Sequence, residues 1–243
     1  PPPRSTLEAD RRQRQMCIRD RGEYVVGCHS FSRNDGEEGY FLITAHMLLI
    51  HGHIMPLTTR LLALMGEVPV SPLLRAILRT ILELVSGDVT GLDQTDRMSV
   101  YEHRDQIYLA ALGRRDRLYA MLADTVERHV RSHGSDPQGA LRALQLDAAL
   151  CPREGSEHSL PLDFDFDAAA THRALTAMEL PPPLGNNTTG QVLRVHHPGG
   201  VGDILHSADG GSWLGGSIEE PTRANHEHHE PENSSELAFV AIA

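Results

Sequence analysis

The sequence has 243 residues, of which 40% are hydrophobic and 5% aromatic, and its formal net charge is −11. All 22 basic residues are arginine, which excludes mechanisms that need a lysine, such as Schiff-base chemistry. The acidic balance argues against a nucleic-acid partner, and the apolar runs around Leu48 and Leu78 are too short to span a membrane. We therefore expect a protein that binds neither nucleic acid nor membrane. The three cysteines are few and far apart, which favours a reduced, cytoplasmic setting over a disulfide scaffold.

The first 21 residues lack the apolar periodicity of a folded segment and begin without a methionine. Within them, residues 14–21 read RQMCIRDR, which resembles translated sequencing-adapter read-through. We interpret residues 1–21 as an artefactual or disordered leader and exclude them from the fold. The natural protein is then expected to have a further N-terminal part upstream of about Gly22.

Residues 22–178 carry helical periodicity and are predicted to form a mainly helical domain with one or two short β-strands. Ser30, Ser32, Asn34 and Asp35 offer N-caps for the first helix. The apolar spacing predicts helices over residues 39–51, 56–65, 72–86, 98–112, 118–130, 138–146 and 168–175. The alternation of residues 160–166, LPLDFDF, predicts a strand, and Asp167 is expected to cap the last helix.

The composition changes at Pro181, after which glycine, asparagine, histidine and glutamate are frequent and apolar clusters are rare. Such a segment recovers little of its ordering entropy through burial. We therefore predict that residues 179–243 form a mostly irregular tail, with one short strand at residues 191–197. The domain would thus be flanked by irregular chain at both ends.

Two groups of histidines are candidate metal ligands. The first comprises His46, His51 and His53. Their separations are five and two residues, whereas helical ligand pairs are three or four apart, so we interpret them as helix-end histidines satisfied by backbone or water. The second comprises His226, His228 and His229, in the tract NHEHHEPE. Such a tract can bind metal adventitiously, and the sequence leaves open whether the histidines near His228 do so.

Three other sets of reactive side chains are interpreted as structural. The alternating acids Asp163, Asp165 and Asp167 lack the glycine and distal glutamate of a calcium loop, which favours the solvated outer face of an edge strand. The set Arg114, Arg115 and Arg117 has Asp116 and Asp124 nearby, which favours a solvated helix start over a phosphate site. Cys28 and Cys151 are expected to be buried or inert thiols. We assign no catalytic, cofactor-binding or metal-ligating residue.

One segment carries a family resemblance. Residues 23–62 read EYVVGCHSFSRNDGEEGYFLITAHMLLIHGHIMPLTTRLL. This resembles the region after the radical domain in cobalamin-binding radical SAM enzymes, in which a short β-prone run and a polar motif precede a long apolar helix, a His-Gly-like break and a second leucine-rich helix. The matching positions are Glu23, Val25, Val26, Ser30, Ser32, Arg33 and Asp35. Weaker matches follow at Glu102, at residues 115–122 and at the strand over residues 160–165.

The resemblance implies that this chain is only the C-terminal part of a larger enzyme. Radical SAM enzymes hold a [4Fe-4S] cluster on three closely spaced cysteines, and the open iron binds S-adenosylmethionine. The only cysteines here are Cys17, Cys28 and Cys151, and the cobalamin motif Asp-x-His-x-x-Gly is missing. The cluster, S-adenosylmethionine and cobalamin are therefore implied only for a parent enzyme of the methyltransferase or a related radical type. The chain alone is expected to be inactive, and its implied partner is the missing N-terminal catalytic part.

Two alternatives stay open. The chain would otherwise be a stand-alone helical protein-interaction module without enzymatic activity, or, less favoured, a histidine-dependent metal protein. Substrate, reaction product and oligomeric state are not indicated by the sequence.

Overall fold

The computed structural model describes residues 30–153, 158–182, 191–197 and 217–218. The described chain is mainly helical with a small antiparallel sheet, which confirms the predicted fold class. The helices are α1 (Arg33–His46), α2 (Pro56–Met65), α3 (Val70–Leu84), α4 (Arg97–Glu102), α5 (Arg104–Leu112), α6 (Arg115–Ser132), α7 (Gln138–Leu150) and α8 (Ala168–Thr176). A π-helical turn, Met47–His51, follows α1, and the strands are β1 (His158–Phe164), β2 (Gln191–His197) and β3 (Ser217–Ile218).

Local signals set the bounds of α1 and α2. A capping box starts α1, because the Ser32 hydroxyl accepts from the Asp35 amide while the Asp35 carboxylate accepts from the Ser32 amide. The helix thus begins at one of the N-caps that the sequence offered, six residues before the apolar stretch that starts at residue 39. As expected, α2 begins at Pro56 and ends where Gly66 adopts the left-handed conformation, with φ of +69°.

Two helix boundaries differ from the sequence prediction. Helix α3 begins at Val70, two residues before the proline that was expected in its first turn, and Pro69 stands at its N-cap. The single helix predicted over residues 98–112 is two helices, since the chain turns at His103 between α4 and α5. The Asp96 carboxylate accepts from the amide of Met98 and caps α4, which fixes its start.

The larger hydrophobic core lies between α1, α3, α5 and α6. The apolar stripe of α3 is buried, with Ile77, Leu78 and Ile81 fully enclosed. Leu118, Leu122 and Val126 of α6 face this stripe from the other side of the core. Burying each such side chain contributes about 1.5–3 kcal/mol relative to exposure, so α3 is held chiefly by this packing.

The second core joins α2, α7 and α8 to the sheet. The strand order is β1-β2-β3, and both pairs are antiparallel, with Leu162 opposite Leu193. Phe164, Leu193 and Val195 face the helices, which confirms the predicted alternation of β1 and the short strand at β2. The second core therefore uses chain from both sides of residue 178, where the helical domain was expected to end.

Within the described ranges no single helix is long and apolar enough to cross a bilayer, although Arg33–His51 and Pro56–Met65, bent by 109°, pass that test as a pair.

Candidate functional site at a π-helical turn

The connection between α1 and α2 has the most unusual backbone in the described chain. The π-helical turn Met47–His51 is followed by Gly52 and then by His53, whose φ of 55° lies in the left-handed region. The next helix leaves at 109° to the first. π-helical turns and left-handed non-glycine residues store strain and are often found at functional sites. The turn is therefore the candidate functional site.

Gly52 is required by the packing of this turn. It is buried, and a Cβ atom placed on it would lie 2.4 Å from the Leu48 carbonyl oxygen and 2.7 Å from Cε2 of Tyr108. The Tyr108 hydroxyl donates a 2.8 Å hydrogen bond to the Gly52 carbonyl in the protein interior. Tyr108 is almost completely enclosed, and this burial raises the pKa of its phenol, so it stays a neutral donor. The ring of Tyr108 thus fixes the turn against α5.

The π-helical turn also brings two of the candidate histidines together. The ring centroids of His46 and His51 are 4.9 Å apart. In an α-helix, residues five apart do not share a face, but the wider π turn places them side by side. Burial, and then the neighbouring His51, lower the pKa of His46, which favours the neutral form of the His46 imidazole. The two rings are therefore neighbours despite a separation of five residues, which the helical spacing argument did not anticipate.

A small hollow lies between this turn and α5. It has a volume of about 100 Å³ and is lined by Met47, Leu48, His51, Arg104, Asp105 and Tyr108. The wall is mostly apolar, whereas His51, Arg104 and Asp105 supply a polar edge. The Nε atom of Arg104 is buried and has no hydrogen-bond acceptor among the described residues. The hollow has room for a few waters or one small polar group, which suits a contact point better than a substrate chamber.

Apolar side chains continue this surface outside the hollow. Ile43 lies one helical turn before Met47 and is 48% exposed, and Leu109 lies one turn after Asp105 and is 36% exposed. We call Ile43, Met47 and Leu109, with the hollow between them, the π-turn face. Exposed large apolar side chains around a mostly apolar hollow with a polar edge are typical of a docking surface.

A second polar centre lies in the core beneath α2. The side chain of Asp147, 1% exposed, accepts hydrogen bonds from the amides of Leu57 (2.9 Å) and Thr58 (2.8 Å) and from the Thr58 hydroxyl (2.7 Å). Since the N-cap of α2, Met55, makes no side-chain cap bond, Asp147 of α7 caps α2 from another helix. Burial raises the pKa of Asp147 to about 7, although the three hydrogen bonds act in the opposite direction.

Tyr119 and Cys151 complete this buried centre. The Tyr119 hydroxyl donates a 2.6 Å hydrogen bond to the carbonyl of Ile54, just before α2. Burial raises the pKa of Tyr119 and the pKa of the Cys151 thiol, so both groups are neutral at pH 7. Cys151 is therefore a buried, protonated thiol, in agreement with the expectation of an inert cysteine. The centre is structural, since its polar groups satisfy one another.

The alternating aspartates lie as the solvated-face interpretation predicts. Asp163, Asp165 and Asp167 are all exposed. The carboxylate of Asp167 accepts from the amide of Ala170 and caps α8, and Asp165 lies 3.8 Å from Arg142. They do not converge on a common centre.

The arginines at the start of α6 differ from one another. Arg114 donates to the Leu84 carbonyl and pairs with Asp88 at 2.7 Å, and Arg117 is exposed. Arg115 is only partly exposed and its guanidinium carbon lies 5.8 Å from the centre of the Tyr119 ring. The prediction of a solvated helix start thus fits Arg117 but not Arg115.

The remaining predicted residues lie elsewhere or outside the described chain. His53 is partly buried in the turn itself, and the described ranges contain no group of three or more histidine, cysteine or acidic side chains placed to hold a metal. Cys17, Cys28, His226, His228 and His229 lie outside the described residues.

Sequence reasoning missed Gly52, Tyr108 and Asp147. For Asp147 a signal was present, because an acid within the apolar run ALQLDAAL requires a buried partner.

The cofactors implied by the resemblance do not fit the residues described. Three clustered thiolates are needed for the iron–sulfur cluster, and the described ranges contain one cysteine, Cys151, which is enclosed and protonated. No histidine of the π-turn face lies in the cobalamin-binding motif.

No family model, no curated protein and no solved structure matches the chain.

Proposed function

We propose that the chain is the C-terminal accessory part of a cobalamin-dependent radical SAM enzyme, of the methyltransferase or a related type. In this role its helices close the substrate cavity of the catalytic part, and the chain contributes no cluster ligand. A closed, dry cavity protects reactive intermediates from water and from side reactions. The cluster, S-adenosylmethionine and cobalamin are held by the N-terminal catalytic part.

The proposal rests on residues 23–62, which both carry the family resemblance and contribute to the π-turn face. The stretch on which the resemblance rests includes the Ser32 capping box, the π-helical turn and the start of α2. The same stretch forms one wall of the hollow and supplies Ile43 and Met47 to the π-turn face. Strained backbone held by packing on both sides is typical of positions selected for a contact, which supports a docking role for this segment.

The first experiment is genetic. The locus upstream of the codon for Gly22 is sequenced from source DNA, without assembly. We expect an open reading frame in phase with this chain that encodes a cobalamin domain and a Cys-x-x-x-Cys-x-x-Cys loop. A complete gene that lacks both would contradict the proposal.

The second experiment is biochemical. The upstream region and the present chain are produced separately and together, reconstituted anaerobically with iron, sulfide and cobalamin, and assayed for 5′-deoxyadenosine formed from S-adenosylmethionine. We expect the cluster spectrum only when the upstream region is present, and substrate turnover only when both parts are present. Cluster assembly and cleavage of S-adenosylmethionine by this chain alone would overturn the division of roles.

The alternative is a stand-alone helical interaction module, and the exposed π-turn face favours it equally on geometry. Light scattering of the purified full chain separates the two. A monodisperse monomer favours the module, whereas aggregation relieved by replacing Ile43 and Leu109 with serine favours an orphaned interface. Met178→Ser, at a side chain 53% exposed elsewhere, is the matched control and should not change the aggregation state.

A further inference from the structure

Two arginines, Arg115 and Arg153, have no acidic partner among the residues that the structure describes. Arg115 is the first residue of α6, and Arg153 lies three residues after the end of α7. The Nη1 atom of Arg115 and the Nε atom of Arg153 are buried, and neither finds an acceptor among the described residues. Within the described ranges, no carboxylate lies within ion-pair distance of either guanidinium. Both side chains are partly enclosed.

Other arginines of this protein have acceptors for their guanidinium groups. Arg114, adjacent in sequence, binds a carbonyl and the carboxylate of Asp88. Arg75 and Arg97 both pair with Glu38. A buried donor without an acceptor costs free energy, and a charged one costs more. Two such donors at one place therefore indicate a ligand whose acceptors complete them.

The two guanidiniums belong to the same site. Arg115 lies over the ring of Tyr119, one turn later on α6, and Tyr119 contacts Cys151, two residues before Arg153. The Tyr119 hydroxyl and the Cys151 amide both donate to the Asp147 carbonyl, at 3.3 Å and 2.8 Å, so the two arginines flank one group of contacts. Burial, and after it Arg115, lower the pKa of Arg153, as expected for two neighbouring cations. Both cations also oppose the burial that raises the pKa of Cys151.

We propose that Arg115 and Arg153 bind a phosphate group, either inorganic phosphate or the phosphate of a small ester. Planar guanidinium groups match the oxygens of a phosphate with paired N–H donors, and two positive charges match a dianion. The anion also relieves the repulsion between the two cations. The position of Arg115 at the first turn of an 18-residue helix adds a favourable field, but the two unsatisfied guanidiniums carry the assignment. The proposal does not depend on the radical SAM assignment.

The test is a phosphate titration of the full chain at constant ionic strength, followed by calorimetry and by ³¹P NMR. We expect saturable binding of one phosphate per chain, with a dissociation constant of roughly millimolar or below. Glycerol phosphate in place of inorganic phosphate tells the ester from the free ion, and binding of either one supports the site. A third titration uses acetate, a monoanion. Acetate binding as tight as phosphate binding would overturn the assignment to a dianion.

Variants locate the site. Arg153→Gln should weaken phosphate binding about tenfold or more, because a charge-assisted pair of hydrogen bonds is lost. Arg117→Gln removes the same charge two residues from Arg115 at an exposed position, and it should change affinity less than twofold. If Arg115→Gln fails to fold, Arg115→Lys is the substitute. It keeps the positive charge but loses the paired N–H donors of the guanidinium, and it should also weaken phosphate binding. Absent saturation, or equal loss in the Arg117 and Arg153 variants, would overturn the proposal.

Discussion

Replacing Asp147 with alanine removes the acceptor that caps α2. The amides of Leu57 and Thr58 and the Thr58 hydroxyl then lose their partner in a region that water does not reach. Each buried unsatisfied group costs about 1–3 kcal/mol, and removal of a desolvated carboxyl returns part of that sum. We expect Asp147→Ala to lower the free energy of unfolding by about 3–5 kcal/mol. Asp163→Ala removes the same side chain from the exposed face of β1 and should cost less than about 0.5 kcal/mol.

The pH dependence of Asp147 gives a second, independent measurement. Because burial raises the folded-state pKa from 3.8 to about 7, the folded protein holds this proton over a range in which the unfolded chain has released it. The contribution of Asp147 to stability is therefore largest near pH 4 and declines as the pH rises toward 7. At about 1.4 kcal/mol per pH unit, the decline over that range is at most about 4 kcal/mol.

Asp147→Asn isolates the pH-dependent contribution of Asp147 to stability, since asparagine has nearly the same shape and does not titrate. Urea unfolding of both proteins is followed by circular dichroism at several values between pH 4.5 and pH 8. We expect the wild type to lose stability relative to Asp147→Asn as the pH rises. A difference in unfolding free energy that stays constant across this pH range would show that the hydrogen bonds from Leu57 and Thr58 keep the carboxyl ionised. Burial would then not be the larger effect on the pKa of Asp147.

Two other substitutions test the π-helical turn and the N-terminal cap of α1. Gly52→Ala should destabilise the fold by about 1–3 kcal/mol, because the new methyl group overlaps the Leu48 carbonyl and the Tyr108 ring; a thermal melt that matches the wild type would contradict the close packing. Ser32→Ala should cost about 1 kcal/mol through loss of the capping box with Asp35, and amide hydrogen exchange should rise at the start of α1 only.

The sequence predicted the helices well where local signals act alone. Pro56 and Gly66 bound α2 as expected, and Asp167 caps α8. The cap of α1 is Ser32, one of the four N-caps that the sequence offered, and the apolar spacing begins only after the polar first turn. The break at His103 was missed because the apolar positions of α4 and α5 continue one another in sequence.

The candidate site was harder to predict because its geometry departs from regular periods. An i, i+5 pair such as His46 and His51 lies apart on any α-helical wheel, and no residue in MLLIH identifies a π-helical turn. The partners of Asp147 are 89 and 90 residues away, so no local window contains both ends of the interaction. Likewise, Gly52 and Tyr108 acquire their roles only when α5 packs on the turn.

The pairing of β1 with β2 has a practical consequence for anyone who shortens this protein. A version that stops at residue 182 would remove Leu193 and Val195 and leave the full hydrogen-bonding edge of β1 open beside Phe164. An open edge next to bare apolar side chains recruits other chains and promotes precipitation. Shortened versions should therefore extend beyond His197 if they are to remain dispersed at the concentrations that spectroscopy requires.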